Sequence, residues 1–180
     1  MNVAICNYGA GNIRSVELAF QRLGVTIIDD VRSAGLAVLP GVGSARTAMA
    51  GLRQRGLDEA LRERFEWDRP ILGICLGLQL ALEHTEEDGG VDGLQLLPGR
   101  AERIASNRVP RIGWAEVNGR GTFWFAHSYA ANTPCAVAWS EGIVAEVRLG
   151  SFVGVQFHPE KSGAAGARFL QQELECLSRV

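Results

Sequence analysis

The sequence predicts an α/β fold: a mostly parallel sheet flanked by helices, a nucleophile elbow after a central strand, and additional antiparallel strands in the C-terminal half. Three observations lead there. Short apolar runs alternate with stretches of helical period through the first half of the chain, the pattern that builds a parallel sheet covered by helices. One of those runs ends in a cysteine between two glycines, Gly73-Ile74-Cys75-Leu76-Gly77. Beyond Gly99 the texture changes to short strand-like pieces.

Taken in order, residues 3–6 form a buried strand, and Ile13, Val16, Phe20 and Leu23 keep helical spacing until Gly24 stops it. Residues 26–28 and 37–39 read as further strands, and Ser44 caps a helix ending near Gly56. Leu57, Ala60, Leu61 and Phe65 mark another amphipathic helix. Residues 70–74 are a continuous apolar run of strand length, followed by a helix over 77–83. Strand-like pieces then cover 112–117, 123–129, 136–139, 144–147 and 152–156, and a last helix carries Phe169, Leu170, Leu174 and Leu177 on one stripe. Residues 86–92 and 118–121 read as linkers.

Cys75 thus falls on a strand-to-helix turn at the carboxyl end of the sheet. A residue held there is strained and exposed, and flanking glycines let neighbouring backbone come close. The helix start favours thiolate over thiol and offers free amides to an oxyanion. Taken alone, such a motif also describes a packing turn with a buried cysteine.

A partner is supplied by Gln156-Phe157-His158-Pro159-Glu160. Proline pushes the residue before it towards an extended conformation, so His158 and Glu160, two apart, are expected on one side of an extended segment. The carboxylate would then receive one imidazole N–H while the other ring nitrogen takes the proton of Cys75. Alone, this motif also fits a surface histidine beside a solvated glutamate. Together the two motifs select a Cys75-His158-Glu160 triad.

With 180 residues, 47% of them hydrophobic, the chain suffices for one domain spanning 1–180 with a sizeable core. A net charge of -2 without a local cluster of Lys and Arg argues against a nucleic-acid partner. Cys6, Cys75, Cys135 and Cys176 form no C-x-x-C pair, so they read as reduced thiols and no metal or cofactor is expected. No basic leader precedes the first strand and no apolar stretch approaches the roughly 20 residues of a membrane span, which predicts a cytoplasmic protein without a membrane partner.

Five segments together carry a family resemblance: Asn7-Tyr8-Gly9-Ala10-Gly11-Asn12, Leu39-Pro40-Gly41-Val42-Gly43, the stretch from Gly73 to Gln79, Phe125-Ala126-His127-Ser128-Tyr129, and the stretch from Gly154 to Ser162. The chain resembles the class I glutamine amidotransferases, and within them the glutaminase subunits of imidazole glycerol phosphate synthase. The resemblance implies hydrolysis of L-glutamine through a Cys75 thioester. It implies a heterodimer with a cyclase subunit that uses the ammonia to make imidazole glycerol phosphate and aminoimidazole carboxamide ribotide in histidine biosynthesis. It also implies oxyanion donors at Leu76 and in the Pro40 to Gly43 loop, where Val42 and Gly43 are the candidates.

By the same resemblance Gln79, Glu87, Ser128 and Tyr129 line the glutamine site, with helix capping as the other reading of Gln79 and a solvated loop as that of Glu87. Asn12, Val42, Trp124 and Lys161 are candidates for the partner surface, against ordinary solvated side chains at Asn12 and Lys161. His127 reads as structural or partner-facing, and His84 as having no role in the site. The chain departs from the usual pattern at Asn7, Arg111 and Ala115, and between Trp114 and Phe123 it is short. Other readings stay open: a glutaminase for a pyridoxal phosphate or anthranilate synthase, a cysteine hydrolase on a related sheet, and a non-catalytic assembly subunit.

Overall fold

The computed structural model describes residues 1–9, 12–106 and 109–177. Strand and helix alternate through the first half: β1 (Asn2–Ile5), α1 (Ile13–Arg22), β2 (Thr26–Ile28), β3 (Leu36–Leu39), α2 (Ala45–Gln54), α3 (Leu57–Glu66), β4 (Ile71–Ile74) and α4 (Leu76–Ala81). There follow β5 (His84–Thr85), β6 (Val91–Asp92), β7 (Arg100–Arg103), β8 (Arg111–Val117), β9 (Gly121–His127), β10 (Tyr129–Asn132), β11 (Ala136–Ser140), β12 (Ile143–Leu149), β13 (Phe152–Val155) and α5 (Gly163–Leu177).

The main sheet has seven strands in the order β11-β12-β13-β4-β3-β1-β2. From β13 to β2 every pairing is parallel, while β11 and β12 join antiparallel at one edge. β4 is the middle strand and β13 lies beside it, so their carboxyl ends open on the same side. Alternation along β3 assigns Ala37 and Leu39 to one face and Leu36 and Val38 to the other. Met49, Leu52, Leu61 and Leu78 of α2, α3 and α4 cover the first face, and Val16 and Phe20 of α1 with Phe169 and Leu170 of α5 cover the second.

Local chemistry fixes the elements that carry the site. Ser44 accepts from the Thr47 N–H and starts α2, as predicted. The buried guanidinium of Arg64 on α3 donates to the carbonyls of Val31 at 2.9 Å, Ala34 at 2.8 Å and Pro70 at 2.7 Å, tying the chain before β4 to the loop before β3. Burial takes Arg64 down to about 10, and its ring of carbonyls offsets the cost of enclosing the charge.

Beyond α4 the structure adds β5 and β7, which the sequence reading did not include, and two segments are built otherwise than expected. The predicted strand over 123–129 is split, with β9 pairing β8 in a separate hairpin while β10 joins β7, β5 and β6 in a four-stranded sheet. His127 Nδ1 lies 2.9 Å from the carbonyl of Tyr129, closing the corner where the chain changes sheets. The second difference is at 86–92, which holds β6 and a 3-10 turn, Glu87–Gly89, rather than a plain linker. Among the described residues no helix is long and apolar enough to cross a membrane.

Candidate active site

Cys75 sits directly after the middle strand with φ 53° and ψ −109°, a conformation that β-carbon sterics disfavour. Backbone contacts on both sides hold it there. Its N–H donates to the Val155 carbonyl at 2.7 Å, and its own carbonyl accepts from Leu78 at 3.1 Å and Gln79 at 3.3 Å. The turn needs glycine at 77, because a Cβ there would lie 1.9 Å from the Leu39 carbonyl oxygen. The thiol is 6% exposed at the floor of the site.

The parallel pairing of Val155 with Ile74 carries the following residues past the elbow. His158 is extended, with φ −103° and ψ 92°, and its N–H donates to the Trp124 carbonyl at 2.8 Å. The expected extended run ends there: Pro159–Lys161 is a 3-10 turn, and the Lys161 N–H donates to the His158 carbonyl at 3.0 Å. Glu160 therefore returns to the ring by a turn instead of by strand alternation. Its Oε1 lies 2.8 Å from His158 Nδ1, which leaves Nε2 for a hydrogen bond with the Cys75 side chain. Burial pushes the imidazole down, but the hydrogen bonds with Cys75 and Glu160 outweigh it and raise His158 to about 9.

The loop at 40–43 presses against the elbow, since a Cβ on Gly41 would come within 2.3 Å of the Gly77 nitrogen and 2.4 Å of Leu76 Cβ. Gly43 follows with φ 98°. The Tyr8 hydroxyl donates to the Pro40 carbonyl at 2.8 Å and hydrogen-bonds the Val42 backbone, so one phenol bridges two peptides of this loop. The Val42 N–H, one of the expected oxyanion donors, is thus turned towards Tyr8.

Gln79 and Glu87 are both ordered. Glu87 Oε2 accepts from the Ala45 N–H at 3.1 Å, and Asp88 Oδ2 accepts from the Ser44 hydroxyl at 2.6 Å and the Arg46 N–H at 3.0 Å. The acidic turn is clamped onto the start of α2, and burial raises the Glu87 carboxyl. Gln79 is buried, and its Nε2 donates to the Tyr129 carbonyl at 2.8 Å and to Gln156 Oε1 at 3.1 Å. Tyr129 therefore meets the site through its backbone, and the Ser128 carbonyl accepts from Ile104 at 3.0 Å. Gln156, fully buried, donates from Nε2 to Cys75 Sγ at 3.5 Å. Gln156 belongs to the motif that ends in His158-Pro159-Glu160 but has no role in the sequence reading; its place at the end of the strand next to the elbow is the signal for one.

Of the surface candidates, Asn12 caps α1 by accepting from the Ser15 N–H, and Lys161 is exposed. Trp124 packs edge-on against Trp114 with ring centroids 5.8 Å apart. The exposed Trp114 and Ile112 stand across the hairpin from Trp124 and Ala126. Arg111 lies over the Phe125 ring at 4.2 Å and donates to the Ser140 hydroxyl at 2.7 Å. Ala10 and Gly11 of the first motif lie outside the described residues. An open cleft of about 1040 Å³ beside Arg103, Trp114 and Trp139 contains none of the triad. Among the described residues no group of three or more His, Cys, Asp or Glu is placed to hold a metal ion.

Residues 12–176 match the family described as Glutamine amidotransferase class-I. The chain is 42% identical over 187 residues to the imidazole glycerol phosphate synthase subunit HisH of Exiguobacterium sibiricum, covering 94% of this chain and 93% of that one. It is 38% identical to the chloroplastic imidazole glycerol phosphate synthase hisHF of Arabidopsis thaliana, a match that covers 96% of this chain and 34% of the plant protein. In fold it is similar to a crystal structure of a glutamine amidotransferase, with a TM-score of 0.79, 22% identity, and coverage of 99% of this chain and 100% of the other.

Proposed function

The chain belongs to the class-I glutamine amidotransferase family, and on that premise we propose that its residues 1–180 form one domain acting as the glutaminase subunit of an imidazole glycerol phosphate synthase in histidine biosynthesis. The observation that carries the reading is the meeting of a strained, buried Cys75 with a histidine whose other nitrogen is held by Glu160 at 2.8 Å. That arrangement suits attack on a carboxamide.

Cys75 Sγ attacks the side-chain amide carbon of L-glutamine, and the amide oxygen takes up negative charge. Backbone N–H groups of Leu76 and of the Val42-Gly43 segment hold that oxyanion, each such donor being worth roughly 3 kcal/mol in the transition state. His158 gives its proton to the departing nitrogen, ammonia leaves, and a thioester remains. The same ring then takes a proton from water, which attacks the thioester and releases L-glutamate. Glu160 fixes the ring orientation and stabilises its charge. Glu87 and the carbonyl of Gln79 receive the amino-acid end of the substrate, with Ser128 and Tyr129 as the pocket wall.

A relative of this chain's length bears the name of a subunit, whereas the longer plant protein bears that of the synthase itself. Those names support a cyclase partner, for which we propose a cyclase subunit docked over Asn12, Trp124 and Lys161 as a heterodimer. Ammonia passes to that subunit and forms imidazole glycerol phosphate and aminoimidazole carboxamide ribotide. A cytoplasmic location is part of this proposal, and the need of a thiol nucleophile to stay reduced supports it. Neither nucleic acid nor membrane takes part.

Steady-state glutaminase activity of the chain alone, with the cyclase, and with the cyclase plus its acceptor ligand tests this. Low turnover alone, a rise on adding both, and transfer of glutamine nitrogen to the acceptor are expected. Glutamine left unhydrolysed in all three conditions would refute the reading.

A further inference from the structure

Three carboxamide and carbonyl groups form a directed chain that ends on the nucleophile. Its starting point is the Tyr129 backbone carbonyl, which can only accept. The Gln79 side-chain group 2.8 Å away must therefore be the nitrogen, and the same nitrogen faces Gln156 at 3.1 Å. A nitrogen facing Gln156 requires the Gln156 oxygen on that side. The Gln156 carboxamide then has one remaining polar edge, its Nε2, and that edge lies 3.5 Å from Cys75 Sγ. Ordinary uncertainty about which way an amide points is removed here by the fixed carbonyl at the head of the chain.

Gln156 cannot swing away from this contact. It is fully buried, and its backbone N–H is held by the Ala145 carbonyl at 2.9 Å, in line with β12 and β13. The sulfur is a weak acceptor as a thiol and a strong one when it carries negative charge, so a fixed N–H beside it favours the charged form. A buried donor also aims the sulfur, which at the same time hydrogen-bonds His158 and lies 3.8 Å from the Ala126 carbonyl oxygen.

Building on the glutaminase reading, we propose that Gln156 is a further catalytic residue of this site: its carboxamide N–H holds and activates the Cys75 sulfur, and Gln79 sets the direction of that carboxamide. The triad then has a fourth member, a neutral donor 3.5 Å from the sulfur. Through Gln79 the nucleophile is linked to the pocket wall at Tyr129, so occupation of the glutamine pocket and the aim of the sulfur are coupled.

Two substitutions separate the roles. Gln156→Glu keeps an oxygen for Gln79 but replaces the N–H facing the sulfur with an anionic oxygen. Gln156→Met keeps the length and removes both polar groups. The readout is the pH dependence of Cys75 alkylation by iodoacetamide in the full chain. For Gln156→Glu the midpoint should move up by about one unit and alkylation at neutral pH should slow about ten-fold. Gln156→Met should move it the same way by less. In the cyclase complex both should lower kcat for glutamine more than they raise KM. Wild-type midpoints in variants with a wild-type circular dichroism spectrum would overturn the proposal.

A measurement without substitution guards against misfolded variants. In the wild-type protein the side-chain amide resonance of Gln156 should titrate with the midpoint of Cys75 alkylation, and an amide signal indifferent to the state of the sulfur would overturn the proposal equally. Alkylation and the amide signal need neither glutamine nor the cyclase. A wild-type chain that shows both effects yet never hydrolyses glutamine would fail the glutaminase reading instead.

Discussion

Gly41 and Gly77 meet back to back: a Cβ on Gly41 would stand 2.3 Å from the Gly77 backbone nitrogen. The loop after β3 and the elbow after β4 are therefore in backbone contact, which brings the two proposed sources of oxyanion donors close together. Such closeness is possible only without side chains on the facing surfaces.

Gly41→Ala is accordingly expected to push the loop away from the elbow. Forced overpacking of this kind costs about 1–3 kcal/mol of stability. If loop and elbow both supply donors, glutamine turnover with the cyclase should fall about a hundred-fold, the scale of losing one such donor. Thermal melts and steady-state kinetics measure the two effects. A variant with a lowered melting point and full turnover would remove the 40–43 loop from the reaction.

Among the described residues four cysteines are free, and only Cys75 lies against a histidine–carboxylate pair. Burial lifts the Cys6 thiol to about 12, so it should stay unreactive. An electrophilic glutamine analogue should label Cys75, and Cys75→Ala should abolish hydrolysis with the melting point little changed. Glu160→Gln retains an acceptor for the ring without the charge, so it should lose less than His158→Ala. Mass spectrometry locating the adduct on Cys6, Cys135 or Cys176, or equal losses in the two variants, would contradict this ranking.

Acid and alkali should destabilise the protein through different histidines. His158 is raised to about 9, so the fold holds its proton more tightly than the unfolded chain; that contribution is complete below about 6.5 and is lost as pH rises through about 9. His127 runs the other way. Burial, with help from the charges of Arg111 and His158 and against the Tyr129 hydrogen bond, takes it down to about 4. Its contribution is complete above about 6.5 and is lost as pH falls through about 4. Melting temperature against pH should flatten between about 6.5 and 9 in His158→Gln and keep its acid limb. An alkaline limb unchanged by that substitution would show that His158 is not its source.

The first half of the fold was legible because each element there announces itself. β1, β3 and β4 are short apolar runs, α1 repeats its apolar residues at helical spacing, and Ser44 marks the start of α2. β5 and β6 have two residues each, too few for any period to show. The triad was readable from Gly73 to Gly77 and from His158 to Glu160, although Glu160 reaches the ring through a 3-10 turn that the proline alone does not specify. Gln79 and Gln156 stand 77 positions apart, and nothing in either segment names the other. Their hydrogen bond exists because α4 and the end of β13 both flank the middle strand, which is a property of the topology.

Tyr8 offers the last test, on the loop that faces the sulfur. Its hydroxyl donates to the Pro40 carbonyl and hydrogen-bonds the Val42 backbone, which orients that peptide towards the phenol. If Val42 is an oxyanion donor, a peptide engaged there is not aimed at Cys75, and the contact is expected to restrain the reaction. Tyr8→Phe keeps the buried ring and removes the bridge. Freed of a hydrogen bond of about 1 kcal/mol, the Val42 peptide should turn more readily, and hydrolysis by the isolated chain should rise about five-fold. Activity in the cyclase complex with acceptor bound should change little if partner binding itself releases the loop. The ratio of activated to isolated turnover is the quantity to measure. A fall in isolated turnover on Tyr8→Phe would mean that the phenol supports the productive loop instead of restraining it.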